Sequence, residues 1–150
     1  MKVLITGGAG FIGKWVVAKL PPEVEVIIVD SLDPQVHKNS SKFASELQAR
    51  ATCVEADIRD IESYRDLAQD SEVIVHLAAQ TGTGQSMYEM SQYVQHNVDG
   101  TAKLLELVSS FKQKPRRIVL SSSRAVYGDG SFTDGSRIYS GRGRRLQELQ

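Results

Sequence analysis

The residues with the clearest chemical meaning are three glycines near the amino terminus, Gly7, Gly10 and Gly13, spaced three positions apart. They follow a short apolar run, residues 3–5, and open an amphipathic segment, residues 11–20, as in a strand, a turn and a helix. The first glycine permits the turn, the second lets backbone approach a ligand, and the third lets the helix pack closely on the sheet. Because free N–H groups at the helix start attract phosphates, this stretch predicts a dinucleotide pyrophosphate site rather than a purely structural turn.

An acidic residue, Asp30, ends the next apolar run, residues 24–29. A carboxylate at the tip of a second strand can accept hydrogen bonds from both hydroxyls of an adenosine ribose, and it repels a 2′-phosphate. Asp30 therefore favours NAD over NADP as the cofactor. The alternative is a surface acid without a ligand role.

Alternating strands and helices are needed to position these groups. Apolar runs of strand length lie at residues 3–5, 24–29, 51–55, 73–77 and 117–120. Segments with helical spacing lie at residues 11–20, 61–68 (with Asp60 as a candidate cap) and 87–111. On the first helix one face carries Phe11, Ile12, Trp15, Val16 and Leu20. The pattern predicts an α/β fold, a Rossmann-type doubly wound parallel sheet.

The composition narrows the classes of function. Of 150 residues, 18 are Lys or Arg and 18 are Asp or Glu, so the overall charge gives no argument for a nucleic-acid or membrane partner. The single cysteine, Cys53, fits a reducing compartment. With no signal peptide and no apolar run of spanning length, we expect a cytoplasmic protein. No residue pattern predicts a metal site.

Five stretches, in order, resemble a known family. The glycine stretch reads T-G-G-A-G-F-I-G and is similar to the extended short-chain dehydrogenase/reductases, in particular their NAD-dependent nucleotide-sugar epimerase/dehydratase branch. The others are A-D-I-R-D from Ala56, V-H-L-A-A from Val75, N-V-D-G-T from Asn97 and L-S-S-S-R-A-V-Y-G from Leu120. The resemblance covers most of residues 1–135 and implies a Rossmann domain that binds NAD.

The resemblance also implies a role for individual residues. Pyrophosphate contacts are implied for Gly7, Gly10, Phe11, Ile12 and Gly13. The adenosine side would be bound by Asp30, Asp57 and Ile58, and the nicotinamide side by Leu77, Ala78 and Ala79. Asn97 would buttress the active site, and Ser121 belongs to the same cofactor-binding set. Ser123 would be the catalytic residue of this chain, bonded to the sugar group that changes oxidation state.

Several of these residues have plainer interpretations. Asp57 also fits a local cap, and Leu77 and Ala78 also fit simple core positions. His76 fits a hydrogen-bonded strand-end histidine better than a catalytic one. The polar loop of residues 80–86 is either a substrate contact or a plain connection.

The sequence departs from the family in one respect. The family's chemistry needs a tyrosine followed four positions later by lysine, in which the tyrosine takes a proton from a sugar hydroxyl while NAD takes the hydride. Tyr139 has Gly143 at that position, and no lysine follows Lys114. We therefore expect the N-terminal part of a longer enzyme, with a sheet incomplete at its C-terminal side, rather than a degenerate member.

The predicted organisation is a NAD-binding Rossmann domain over residues 1–127. A Gly/Arg-rich loop or insertion follows over residues 128–150, truncated before the catalytic Tyr-x-x-x-Lys and the substrate region, and residues 146–150 resemble a helix cut mid-run. The predicted function is the NAD-binding part of a nucleotide-sugar epimerase or dehydratase that oxidises its sugar transiently. Alternatives are a non-catalytic NAD-binding module and an NAD(P)-dependent reductase of the same superfamily. The isolated chain is expected to lack turnover, and a homodimer through residues 87–111 is expected by analogy.

Overall fold

The computed structural model describes residues 1–38, 42–127, 130–140 and 147. The chain divides into two compact units, Met1–Leu120 and Ser121–Gln150. Most of the helix expected at residues 146–150, and part of the glycine-rich tail that precedes it, lie outside the described residues.

A five-stranded parallel sheet forms the centre of the first unit. Its strands are β1 (Lys2–Thr6), β2 (Glu25–Asp30), β3 (Thr52–Glu55), β4 (Val73–His76) and β5 (Arg117–Leu120). Their order in space is β3-β2-β1-β4-β5, and every neighbouring pair is parallel. The chain builds outward from β1 on one side and then returns to its other side, which confirms the predicted Rossmann-type topology.

Six α-helices lie within the described part of the chain. They are α1 (Phe11–Lys19), α2 (Pro34–His37), α3 (Ser45–Arg50), α4 (Arg65–Ala68), α5 (Met90–Val94) and α6 (Gly100–Ser110). A π-helical segment, Gln95–Asp99, joins α5 directly to α6. Short 3₁₀ turns occupy Ile61–Ser63, Gln85–Met87 and, in the second unit, Arg124–Tyr127.

The central strands are buried on both faces, as the apolar runs predicted. Leu4 and Ile74 lie in one core cluster, which also receives Leu104 of α6. Val3 and Ile28 lie in the other cluster, together with residues of α1 and α3. Because successive side chains of a strand point to opposite faces, helices on both sides of the sheet are needed to exclude water from these strands.

The helix expected at residues 61–68 is a 3₁₀ turn followed by the single-turn α4, because Tyr64 leaves helical geometry with φ −135°. Tyr64 instead turns its ring into the core and donates a hydrogen bond from its hydroxyl to the Ile58 carbonyl oxygen over 2.8 Å. The cap expected at Asp60 is absent, since its carboxylate accepts from the Ser63 hydroxyl rather than from a backbone amide.

Only part of the apolar face assigned to α1 packs on the sheet, namely Val16 and Leu20, which are half-buried against one core cluster. Val17 and Gly13 are buried, whereas Phe11 is 81% exposed and Ile12 and Trp15 are also exposed. Gly13 explains the difference, because a Cβ there would lie 2.5 Å from Gly8 Cα. At this position α1 lies so close to the glycine loop that only a glycine of the helix fits against it.

The second unit contains a small antiparallel hairpin that the sequence did not predict. Its strands are β6 (Ser131–Thr133) and β7 (Ile138–Ser140). Asp134 organises the turn, because one oxygen accepts from the backbone amides of Ser136 and Arg137 and the other accepts from the Tyr139 hydroxyl. These hydrogen bonds hold the pKa of Asp134 far below its usual value and raise the pKa of Tyr139.

Two kinds of feature are absent from the described residues. None of the helices in these ranges is both long enough and apolar enough to cross a membrane. The same residues contain no group of three or more His, Cys, Asp or Glu side chains placed to hold a metal ion.

Candidate cofactor-binding site

The glycine loop between β1 and α1 has three different environments at its three spaced glycines. Gly7 has φ +70°, and a Cβ there would lie 2.7 Å from the Ala78 nitrogen. A Cβ at Gly13 would collide with the backbone of Gly8. A Cβ at Gly10 would meet only the Gly7 carbonyl oxygen, at 3.3 Å, and otherwise open space. Gly7 and Gly13 therefore serve the fold, whereas Gly10 keeps the approach to the loop clear.

Sequence reasoning missed a fourth glycine in this loop. A Cβ at Gly8 would lie 2.7 Å from Ile28 Cγ2 of β2, so Gly8 lets the loop settle onto the sheet. The three-residue spacing could not reveal it, because its neighbour comes from the next strand.

The amino end of α1 has the properties of an anion site. Its N-cap is Gly10, and no side chain caps the first turn. The N–H groups of a first helical turn have no acceptor within the helix, and the helix dipole places partial positive charge there. Phe11 and Ile12, both exposed, lie in this first turn, so a bound phosphate would be flanked by apolar surface.

Asp30 is not a surface acid, because its side chain is only 8% exposed. One carboxylate oxygen accepts from the Ala9 amide of the glycine loop, and the other accepts from the Leu32 amide, each over 2.9 Å. His37 Nε2 lies 3.4 Å from the second oxygen. A carboxylate has about four lone-pair sites, so Asp30 keeps capacity to accept from a further hydroxyl.

Asp57, at the end of β3, is held by two basic side chains. Arg59 donates to both of its carboxylate oxygens, over 2.8 Å from Nε and 2.7 Å from Nη2, and His96 Nε2 lies 3.2 Å from one of them. The hydrogen bond from Arg59 lowers the pKa of Asp57 to about 2. The Arg59 amide also donates to Asp57, which closes a local turn. Next to it Ile58 is buried in the core against Gly100 of α6.

The loop after β4 returns to the glycine loop. The Leu77 amide donates to the Thr6 carbonyl oxygen over 2.9 Å, which extends the β1–β4 pairing by one step. Leu77 and Ala78 are half-buried and pack on different core clusters, while Ala79 is exposed. The backbone of Leu77 and Ala78 is the part of this loop that contacts Gly7.

A buried polar relay centred on His76 runs beneath this loop. The Thr101 hydroxyl donates to the Asn97 carbonyl oxygen over 2.7 Å and therefore accepts from His76 Nε2 over 3.0 Å. The Thr6 hydroxyl accepts from the Ala78 amide and forms a hydrogen bond of 2.6 Å with His76 Nδ1. A proton on Nε2 satisfies the Thr101 contact, and in the neutral ring Nδ1 accepts from the Thr6 hydroxyl. Burial lowers the pKa of His76, which favours the same form.

The relay makes His76 the hydrogen-bonded strand-end histidine that the sequence favoured over a catalytic one. Its two threonine partners were not predicted, since Thr6 and Thr101 lie on β1 and α6, far apart in sequence.

Asn97 fixes the loop after β4 with both ends of its side-chain amide. Its Oδ1 accepts from the Gln80 amide over 2.7 Å, and its Nδ2 donates to the Gln80 carbonyl oxygen over 3.0 Å. Asn97 lies in the π-helical segment, where the widened turn is a known feature of functional helices. The resemblance implied that Asn97 buttresses the site. These two hydrogen bonds, which we call the Asn97–Gln80 clamp, are how Asn97 would do so.

Ser121 and Ser123 lie in the second unit, in the residues that follow β5. Both are exposed. Within the first unit, the structure brings Gly7, Gly10, Asp30, Ala78 and Asn97 to the carboxyl ends of the central strands.

A parallel sheet with this strand order, an uncapped helix behind a glycine loop and an acid at the tip of β2 define a dinucleotide-binding domain of the Rossmann type. A sequence model of the NAD dependent epimerase/dehydratase family matches residues 3–141. The chain therefore belongs to that family.

Curated relatives support the same placement. The chain is 40% identical to a dTDP-L-rhamnose 4-epimerase from Burkholderia thailandensis, over 97% of this chain and 41% of that protein. It is 31% identical to a dTDP-glucose 4,6-dehydratase from Mycolicibacterium smegmatis, over 92% of this chain and 41% of that protein. The chain thus spans about two fifths of the length of these relatives.

Solved structures show the same architecture. A UDP-glucose 4-epimerase from Stenotrophomonas maltophila, with bound NAD and formylated UDP-arabinopyranose, matches with TM-score 0.71 and 32% identity, over 91% of this chain and 40% of that one. A UDP-glucuronic acid 4-epimerase from Bacillus cereus, in complex with NAD, matches with TM-score 0.72 and 30% identity, over 87% and 43%.

Proposed function

We propose that this chain is the NAD-binding part of a nucleotide-sugar epimerase or dehydratase. The observation that carries the proposal is the buried carboxylate of Asp30, bonded to the glycine loop and to the loop after β2. A fixed negative charge at that place accepts ribose hydroxyls and rejects a 2′-phosphate. Relatives from both reaction classes, epimerases and a dehydratase, support the range of reactions.

The residues present fit NAD in chemical terms. Pyrophosphate would lie at the uncapped start of α1, beside Gly7, Gly10, Phe11, Ile12 and Gly13. Asp30 would accept from the adenosine ribose, and the adenine would lie near Asp57 and Ile58. The nicotinamide side would follow the loop of Leu77, Ala78 and Ala79, which Asn97 holds. Ser121 joins the proposed cofactor-binding set only through the resemblance to the family. An open approach at Gly10 supports this arrangement, because a Cβ there would enter the space that a phosphate needs.

NAD, when bound, accepts a hydride from the sugar and returns it. In this chain Ser123 would donate or accept a hydrogen bond at the sugar oxygen that changes oxidation state. The acid/base tyrosine of the family would have to come from elsewhere, because no Tyr-x-x-x-Lys occurs in residues 1–150. We infer that residues 1–150 alone bind NAD but do not turn over nucleotide sugars.

We further propose that residues 1–127 form the cofactor domain, followed in sequence by a Gly/Arg-rich loop or insertion over residues 128–150. The single cysteine, Cys53, supports a cytoplasmic location, since a reducing compartment suits a free thiol. A homodimer through the helix around residues 87–111 is supported by exposed apolar side chains on that helix, which include Val94, Val98 and Leu105.

Calorimetric titration of the chain with NAD tests the proposed function. We expect saturable binding with one NAD per chain and no conversion of UDP-glucose or dTDP-glucose by the same preparation. Absence of NAD binding would contradict the proposal, and robust turnover by residues 1–150 would contradict the inference about the missing tyrosine–lysine pair.

A further inference from the structure

Two loops meet above the carboxyl end of β1. One follows β2 and comprises residues 31–38, and the other follows β4 and comprises residues 77–86. Gln80 Nε2, from the β4 loop, donates to Asp33 Oδ2 of the β2 loop over 2.7 Å. Gln35 Nε2, from the β2 loop, donates in turn to the Thr81 carbonyl oxygen over 3.0 Å. We call these four residues the clasp.

Each side of the clasp has its own anchor. The second oxygen of Asp33 accepts from the Gln35 amide over 2.8 Å and so caps α2. The backbone of Gln80 is held by Asn97, and the Tyr93 hydroxyl donates to the Thr81 carbonyl oxygen over 2.9 Å. The Gln80 and Gln35 side chains are therefore links between two supported loops, and they can part while the anchors stay in place.

The clasp spans the place where this fold binds its ligand. In a doubly wound sheet the ligand crevice lies at the carboxyl ends of the strands, where the strand order reverses. Here the reversal falls between β1 and β4, and the clasp joins the loops of β2 and β4, which flank β1 on either side. Below it the glycine loop contacts both neighbours, through Ala9 with Asp30 and through Gly7 with Ala78. These contacts surround the end of β1.

We propose that the clasp is a gate for the cofactor, and that the Gln80–Asp33 and Gln35–Thr81 links must open for a dinucleotide to enter or leave the crevice. The proposal rests on the proposed function, since it assumes that the crevice binds NAD. Both links join protein groups to one another, so their loss leaves the phosphate-facing and ribose-facing groups unchanged. A gate of this kind alters rates of exchange and leaves the affinity nearly unaltered.

The variant Gln80→Ala tests the gate, because it removes the link to Asp33 and keeps the backbone that Asn97 holds. Stopped-flow fluorescence with NADH as the probe would give association and dissociation rate constants. We expect both to rise about tenfold, as fits loss of a hydrogen bond to a carboxylate, with Kd changed less than about threefold.

Gln85→Ala is the matched control. Gln85 has the same side chain and lies in the same loop, but it donates to Glu89 over 2.8 Å and makes no hydrogen bond to the described residues 31–38. We expect wild-type rates for it. Gln35→Ala is the second test variant, since its side chain is exposed and its loss should not impair folding; both of its rate constants should rise about threefold.

The outcomes separate the two proposals. Failure of the wild-type chain to bind NADH would overturn the proposed function and the gate with it. NADH binding with wild-type rates in both Gln80→Ala and Gln35→Ala would overturn the gate alone. Faster dissociation with unchanged association would also overturn it, because that result signifies a lost contact with bound cofactor rather than a barrier to exchange.

Discussion

Asp30 and His76 show how single polar residues in this domain are fixed by partners in neighbouring loops, strands and helices. Asp30 bonds to Ala9 and Leu32 with different oxygens of one carboxylate. His76 joins Thr6 to Thr101 with different nitrogens of one ring. Hydrogen bonds therefore fix the position of each buried group, and burial favours the neutral form of His76.

The charge state of His76 predicts a dependence of stability on pH. Burial lowers its pKa in the folded chain below the ordinary value of 6.5, so the unfolded chain binds more protons as the pH falls below about 6.5. The free energy of unfolding should therefore fall as the pH is lowered from 7 towards 5. In His76→Gln this slope should be smaller, because the titrating group is gone.

Urea unfolding of both proteins at several pH values in that range measures the effect. His37 and His96 are present in both proteins and cancel in the comparison. His76→Gln should also be less stable at pH 7 by about 1–3 kcal/mol, since the Thr6 hydroxyl loses its acceptor. Equal slopes in the two proteins would show that His76 is not held neutral.

At the scale of elements, different glycines of the loop between β1 and α1 are needed for stability and for binding. A Cβ at Gly13 would lie within 2.6 Å of three backbone atoms of Gly8, which side-chain motion cannot relieve. Gly13→Ala should therefore destabilise the chain by about 2–3 kcal/mol. Gly84→Ala is the control, because nothing lies within 4 Å of its Cβ position and its φ is −68°.

Gly10→Ala should weaken NAD binding and leave the stability of the chain nearly unchanged. Its φ of −70° suits alanine, and the single close neighbour is the Gly7 carbonyl oxygen at 3.3 Å. Thermal unfolding should change little, while NAD affinity falls about tenfold or more because the methyl group occupies the approach to the pyrophosphate. Unaltered NAD affinity in Gly10→Ala would remove Gly10 from the site.

The order of elements was predictable from the sequence because the signals are local. Apolar runs gave the five strands, and glycine spacing with Asp30 gave the β1–α1–β2 unit. The clasp and the Asn97–Gln80 clamp were not predictable, because they join loops whose proximity depends on the strand order. The short helices α3 and α4 and the exposed face of α1 depend on packing rather than on periodicity, so they were missed or misassigned.

At the scale of the whole molecule, the helical residues 90–110 leave apolar side chains uncovered. Val98 is 63% exposed, and the same helix exposes Met90, Val94 and Leu105. Val94, Val98 and Leu105 are spaced four and seven apart, so they share one face. A second copy of the chain packed on this face would bury them.

Sedimentation velocity tests this interface. The wild-type chain should form dimers, and Val98→Glu should shift it to monomers, since a charge in the centre of an apolar interface has no partner. Leu67→Glu, at another exposed apolar residue, on α4, should leave association unchanged. A wild-type chain that is monomeric at high concentration would contradict the dimer.

The decisive measurement is the preference for NAD over NADP in the wild-type chain and in Asp30→Ala, obtained from the two Kd values by calorimetry. The wild-type chain should prefer NAD by about tenfold or more, because the buried carboxylate accepts ribose hydroxyls and repels a 2′-phosphate. Asp30→Ala, checked for folding by circular dichroism, should bind NAD at least about tenfold more weakly and lose most of the preference. A folded variant with unchanged NAD affinity and unchanged preference would contradict the assignment of this crevice to NAD through Asp30.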